Sequence, residues 1–316
     1  MISRRDWLKS VGAGSLLWWS PSPYVSAVDE LQALIEAQVG RRNIGVEVAR
    51  WVRGGDAVRS IYRVGINQDA LRPTASCFKA WVLMYYYTFV APQDWEDAPG
   101  TDAYNIVVNS HNTAVGRVLR DVGEYQSYGN AVEKFNDFMQ YSLGLEHGIN
   151  AWEWDGNPVQ GLFDERYQPG EERQVSAGGA QHRIGNLTTA ADTLNGYREL
   201  YRRTFAADVD IFGGNREARR LGALSALRLL TLPSESDYNS PMERVLGRGV
   251  YAGKDGVLRA TDTTAGRVIN DAGMIPLSNG MLGISVFAVA ESEFSVVEII
   301  REIVRGMYRV EQSLVL

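Results

Sequence analysis

Cysteine is almost missing from this chain: Cys77 is the only one in 316 residues. An internal disulfide and a thiolate metal cage are therefore excluded. Histidine is scarce as well. His111, His147 and His182 are scattered, so the paired-histidine helix of a zinc hydrolase is not available. There is no lysine-arginine block, and the formal net charge is −6, a poor balance for gripping nucleic acid. No apolar run is long enough to span a bilayer. Internal repeats and low-complexity tracts are lacking too. Nothing in these absences calls for a metal or a cofactor, and the length allows one large domain or two small ones.

The first residues read as an address. Ser3-Arg4-Arg5-Asp6-Trp7-Leu8-Lys9 resembles a twin-arginine export signal. A short apolar stretch, Val11 to Trp19, follows, and Val25-Ser26-Ala27 offers small residues for cleavage. Residues 1–27 would engage the twin-arginine export machinery and be removed. The mature chain would then sit in the periplasm or outside the cell, with no membrane span. That route carries folded proteins and suits a chain without disulfides. A basic, unstructured N-terminus is the other reading.

Hydrophobic periodicity places the elements. Asp29 to Val39 predicts an amphipathic helix. Asn43 to Val52 and Val58 to Val64 predict a hairpin across Gly54-Gly55-Asp56. A helix opening at Ser76 and lasting to about Val90 is apolar all round and so buried. Further helices are expected over 101–109, 115–123, 130–143, 189–203 and 215–230. Residues 146–185 show little periodicity, which suggests a functional loop or a disordered insert. Three strands (250–259, 266–276 and 281–290) and a helix capped by Ser292 or Ser295 close the chain. The two ends would meet in one sheet, with the helical block inserted between them.

Three short motifs carry chemistry. In Ser76-Cys77-Phe78-Lys79 a hydroxyl and an amine lie one turn apart. A serine needs a neighbouring base to attack, and a lysine in an apolar run can be that base if burial lowers its pKa. In Ser110-His111-Asn112 the hydroxyl could pass a proton to a leaving group. The amide could hold a substrate or fix a lysine. A helix cap is the alternative. In Lys254-Asp255-Gly256 the glycine would let a substrate lie along the strand backbone. There the alternative is a hairpin turn.

Serine, lysine, serine and lysine in this order resemble the S-x-x-K, S-D-N and K-T-G elements of the serine beta-lactamase and penicillin-binding protein superfamily. The likeness is to its class A branch and spans about residues 28 to 316. It implies an α+β, beta-lactamase/transpeptidase-like fold. An antiparallel five-stranded sheet would be flanked by helices, with an inserted all-helical subdomain. Residues 28–72 and 245–316 would form the sheet subdomain and residues 73–244 the helical one. Ser76 would be the acylated nucleophile and Lys79 its base or proton relay. Ser110 would carry the proton to the departing nitrogen. Lys254 would set the positive field, with Asn112 and Gly256 in the substrate cleft. The N–H groups of Ser76 and Val257 would form the oxyanion hole.

Three departures qualify this. Position 111 holds histidine where the family has aspartate. Asp255 replaces the hydroxyl that binds a beta-lactam carboxylate. Two like charges about 4 Å apart repel by roughly 4 kcal/mol near a surface. Asp255 should weaken penicillins unless it is protonated or turned away, and would favour an uncharged or cationic group. Arg259 and Arg267 are candidates for a carboxylate anchor. The glutamate loop used for deacylation is also absent. Glu153, four residues ahead of Asn157, keeps its glutamate-to-asparagine spacing, with a plain surface glutamate as the alternative. The implied function is an exported serine hydrolase that opens beta-lactam amides through an acyl-serine. Its alternatives are a DD-peptidase or esterase on the same scaffold, and an inactive binding protein.

Overall fold

The computed structural model describes residues 23–124, 130–154, 157–164, 166–167, 173–177, 180–184, 186–205, 215–235, 240–261, 263 and 265–314, with backbone alone at 124, 151–154, 157–163, 173–177 and 180–184. Helix α1 (Pro23–Val39) begins at a proline, whose missing N–H costs nothing in a first turn. It starts ahead of the expected Asp29 and takes in Val25-Ser26-Ala27; residues 1–22 of the expected leader lie outside the described residues. Strands β1 (Ile44–Gly54) and β2 (Ala57–Ile66) form the anticipated hairpin. After the two-residue strand β3 (Arg72–Pro73) come helices α2 (Lys79–Phe89), α3 (Asp102–Val107), α4 (Asn112–Glu124) and α5 (Ala131–Asp137).

The stretch expected as a loop or disordered insert is instead largely two hairpins. One joins β4 (Ala151–Trp154) to β5 (Asn157–Phe163), the other β6 (Arg173–Ala177) to β7 (Ala180–Ile184). The inserted block is thus not all helical. Strands this short and polar, such as Arg173-Gln174-Val175-Ser176-Ala177, carry no apolar alternation for a sequence reading to catch. Strand β8 (Leu187–Thr188) pairs with β3 and leads into α6 (Ala190–Arg203), whose N-cap is Thr189. Asn215 caps α7 (Arg216–Leu230), and Ser240 caps the short α8 (Pro241–Leu246). Strands β9 (Ala252–Leu258), β10 (Val268–Leu277) and β11 (Gly280–Val289) precede α9 (Glu293–Leu314). Ser292 Oγ accepts the N–H of Ser295 at the start of α9.

The five long strands make one antiparallel sheet in the order β2-β1-β11-β10-β9. Both chain ends contribute to it. One face packs on α1 and α9, where Leu31 and Ile35 meet Ile299, Ile300, Ile303 and Met307. The other face, with Trp51, Met274 and Phe287, belongs to the core of the helical block. Strand β1 lies inside the sheet, between β2 and β11, and Ile44 to Trp51 are all buried. The β10–β11 turn needs Gly280, because a Cβ there would lie 2.0 Å from Trp51 O. Among the described residues no helix is long and apolar enough to cross a membrane.

Helix α2 is the post of the helical block. It is buried from Lys79 to Tyr85 and again at Tyr87. Tyr85 meets Phe89, Phe135 and Phe138 with ring centroids 5.0 to 5.5 Å apart. The Trp81 ring lies flush on Gly196 of α6, where a Cβ would sit 2.6 Å from it. Overfilling such a contact typically costs about 1–3 kcal/mol. Gly196→Ala should therefore lower the urea midpoint by that order despite alanine's better helix propensity. An unchanged midpoint would mean that Trp81 moves aside freely and does not fix α2.

Candidate active site

The segment ahead of Ser76 is tied down from two sides. Thr74 N donates to Asn186 O at 2.8 Å, and Asn270 Nδ2 of β10 donates to Pro73 O at 2.7 Å. Between them Ala75 takes a left-handed φ of 48°. That conformation costs an L-residue roughly 1–2 kcal/mol and persists where its surroundings enforce it. Residues Ala75–Phe78 then form a 3₁₀ turn, and the α-helix proper begins at Lys79. The helix expected from Ser76 thus starts as a tighter turn. Ser76 lies in the tight turn and Lys79 directly at its C-terminal end.

Lys79 is 1% exposed. Its Nζ lies 2.6 Å from Ser110 O, 3.1 Å from Ser110 Oγ and 2.7 Å from Asn112 Oδ1. All three atoms come from the connection between α3 and α4, where Ser110 has a left-handed φ of 54°. The first two motifs therefore converge. Asn112 takes the lysine-fixing role, and Ser110 faces the same amine. His111, between them, is exposed. Burial, and next the charge of Lys254, push the Lys79 pKa well below the usual lysine value.

The third motif closes the site from the sheet. Strand β9 is the free edge, and Gly256 lets it run against the 3₁₀ turn. A Cβ there would lie 2.6 Å from Ser76 N and 3.0 Å from Cys77 N. Cys77 Sγ also reaches Lys254 O at 3.3 Å. Lys254-Asp255-Gly256 is therefore strand and not a turn. Val257 follows on the strand, opposite Ile269.

Asp255 differs from expectation. It does not line the cleft as an open carboxylate. It is 6% exposed and holds Lys254 Nζ at 2.6 Å. A buried ammonium requires such a partner. Of the candidate anchors, Arg267 is paired with Glu293 at 3.1 Å, and Arg259 is exposed past the end of β9. The backbone of Glu153 lies in β4 opposite Pro158, while its side chain lies outside the described residues.

The sequence reading missed two residues. Asn270, which positions Pro73, and Asp271 sit mid-strand and are fully buried. Two adjacent polar residues in an otherwise apolar strand were the available signal. Asp271 faces Asp255 across the β9–β10 ladder. Its carboxylate accepts from Ser240 Oγ at 2.5 Å, from Tyr251 OH at 2.8 Å and from Met242 N at 2.8 Å. Burial first, and then the Asp255 charge, push its pKa from 3.8 up to about 7.

The folded state thus keeps a proton that the unfolded chain releases. The stabilisation is complete below pH 3.8 and is lost as pH rises through about 7. Between these limits the wild type should lose stability relative to Asp271→Asn. Denaturation midpoints of both proteins between pH 4 and 8 check this. Parallel curves would mean that Asp271 titrates alike in both states.

No protein-family model matches this sequence, and no curated protein does. Its fold has solved neighbours. The TLA-3 extended-spectrum beta-lactamase aligns with a TM-score of 0.58 at 16% identity, over 89% of this chain and 98% of that one. A beta-lactamase from Sphaerobacter thermophilus aligns with a TM-score of 0.53 at 17% identity, over 92% and 97%. PBP-A aligns with a TM-score of 0.52 at 16% identity, over 88% and 96%. A mutant of PBP-A is known as an acyl-enzyme complex with penicillin G. At such identities the likeness is one of fold: this chain has the fold shared by the serine beta-lactamases and PBP-A.

Proposed function

We propose that this chain is an exported serine hydrolase of the class A beta-lactamase type, which opens beta-lactam amides through an acyl-Ser76 intermediate. The observation that carries the reading is the seat of Lys79. Burial pushes the Lys79 pKa well below the usual lysine value, and in its neutral form the amine has two N–H groups and one lone pair. Ser110 O at 2.6 Å and Asn112 Oδ1 at 2.7 Å take the two N–H groups. The lone pair is left for a hydroxyl, and Ser110 Oγ is within 3.1 Å.

The steps follow. Ser76 Oγ attacks the lactam carbonyl carbon, and its proton passes to Lys79 Nζ. Negative charge gathers on the carbonyl oxygen, where the N–H groups of Ser76 and Val257 would hold it as β9 passes the turn. The C–N bond breaks, and the nitrogen leaves with a proton relayed from Lys79 through Ser110 Oγ. Water then hydrolyses the ester, with Glu153 as the candidate base. Export rests on Arg4-Arg5 and the small residues at 25–27.

A second reading, a DD-peptidase or esterase on the same scaffold, is favoured by one observation. Asp255 occupies the Lys254 charge that a beta-lactam carboxylate would otherwise meet. The two readings part at deacylation. Catalytic turnover of nitrocefin, lost in Ser76→Ala, supports the first. A stoichiometric penicillin adduct on Ser76 without turnover supports the second.

Two further outcomes test the proton path. Ser110→Ala should slow acylation roughly 100- to 10,000-fold while leaving the fold intact. Acylation should also rise with pH only until Lys79 is neutral, and so level off well below the usual lysine value of 10.5. A rate that keeps climbing into the ordinary lysine range would sink the assignment of Lys79 as the base.

A further inference from the structure

We propose that the cleft beside Ser76 takes an uncharged or cationic acyl substrate in preference to one bearing a carboxylate, because Asp255 buries its charge on Lys254 in the cleft wall. This rests on the reading of Ser76 as an acylated nucleophile and names the substrate class of that same site.

The charges can be followed one at a time. Lys254 is 2% exposed, and its ammonium lies 2.6 Å from Asp255 Oδ1. No water can separate the two groups, so an approaching anion meets a neutral pair and not a cation. Lys79 Nζ is already taken up by Ser110 O and Asn112 Oδ1, and burial, with the Lys254 charge next, pushes its pKa well below the usual lysine value. Behind the pair stand two more acids. Asp271 faces Asp255 across the ladder, and Glu243 of α8 is buried with its Oε2 unpartnered among the described residues. The Asp255 charge raises the pKa of both. The Arg248 charge works in the opposite sense on Glu243. Arg267 is spent on Glu293, and Arg259 lies exposed past the strand end.

A substrate carboxylate laid along β9 would therefore shed water without gaining an unshared cation, and would lie near the Asp255 charge. An ester or amide without that group suffers neither cost. A cationic group would gain from the surplus of acid. The discrimination comes from a repulsive element, not from an added contact.

Benzylpenicillin and its methyl ester share one reactive ring and differ by one charge. Acylation of Ser76 by each, followed by mass spectrometry of the intact protein, gives the ratio directly. In the wild type the methyl ester should react faster by about tenfold or more. Asp255→Asn keeps the oxygen that faces Lys254 but removes the negative charge. It should raise the rate of the acid relative to the methyl ester by a similar factor. A wild type that reacts equally with the two, or faster with the acid, overturns the proposal, and so does a folded Asp255→Asn with an unchanged ratio. If the variant does not fold, the wild-type ratio decides alone. An adduct with neither compound, or one that survives in Ser76→Ala, removes the acyl-serine reading itself and this proposal with it.

Discussion

The site is organised by the burial of Lys79. An amine that is 1% exposed needs acceptors close by, and burial pushes its pKa well below the usual lysine value. The acceptors come from the α3–α4 connection, which must bend back to deliver Ser110 O, Ser110 Oγ and Asn112 Oδ1 to one point. Helix α2 must in turn be held so that Lys79 meets them. The aromatic contacts of Tyr85 and the flush seat of Trp81 on Gly196 do that. Packing energy from a hydrophobic helix thus sustains a polar arrangement that would be unfavourable alone.

Backbone strain collects in the same place. Ala75, just before Ser76, and Ser110 both occupy the left-handed region. Each is held by bonds from another element: Asn270 and Asn186 on the segment that carries Ala75, and Lys79 on the carbonyl of Ser110. A sheet edge completes the enclosure, and only a glycine at 256 lets it come so near. The cleft is therefore built from three separate supports, a helix, a loop and an edge strand, each braced by the others.

Much of this was legible in the sequence because it is periodic or punctuated. The closing strands and α9 showed their apolar pattern, Thr189 and Asn215 their caps, and the three motifs their order. The two hairpins between 151 and 184 escaped notice, since β4 is only four residues long and β6 and β7 are short and mostly polar. The 3₁₀ turn at Ser76 was also hidden. Nothing in Ala75-Ser76-Cys77-Phe78 distinguishes a tight turn from a helix start; the pull of Asn270 and the closeness of β9 decide it. Asp255 was noticed as an anomaly, but where it would point was left open. Its direction depends on a lysine one residue away and on acids from two other elements, none of which spacing can place.

That last point bears on what a shared fold can transmit. A sheet with this strand order and a helical block packed on it fix the backbone that frames the site. They do not fix the charge felt by the rest of the substrate. At the β9 edge that charge is set by a count: Lys254 against Asp255, Asp271 and Glu243, inside a wall that water does not reach. Burial first, and then the Asp255 charge, keep a proton on Asp271 up to about pH 7. Reacting geometry and substrate charge are thus held by different residues of one cleft, and the second can change while the first stays in place.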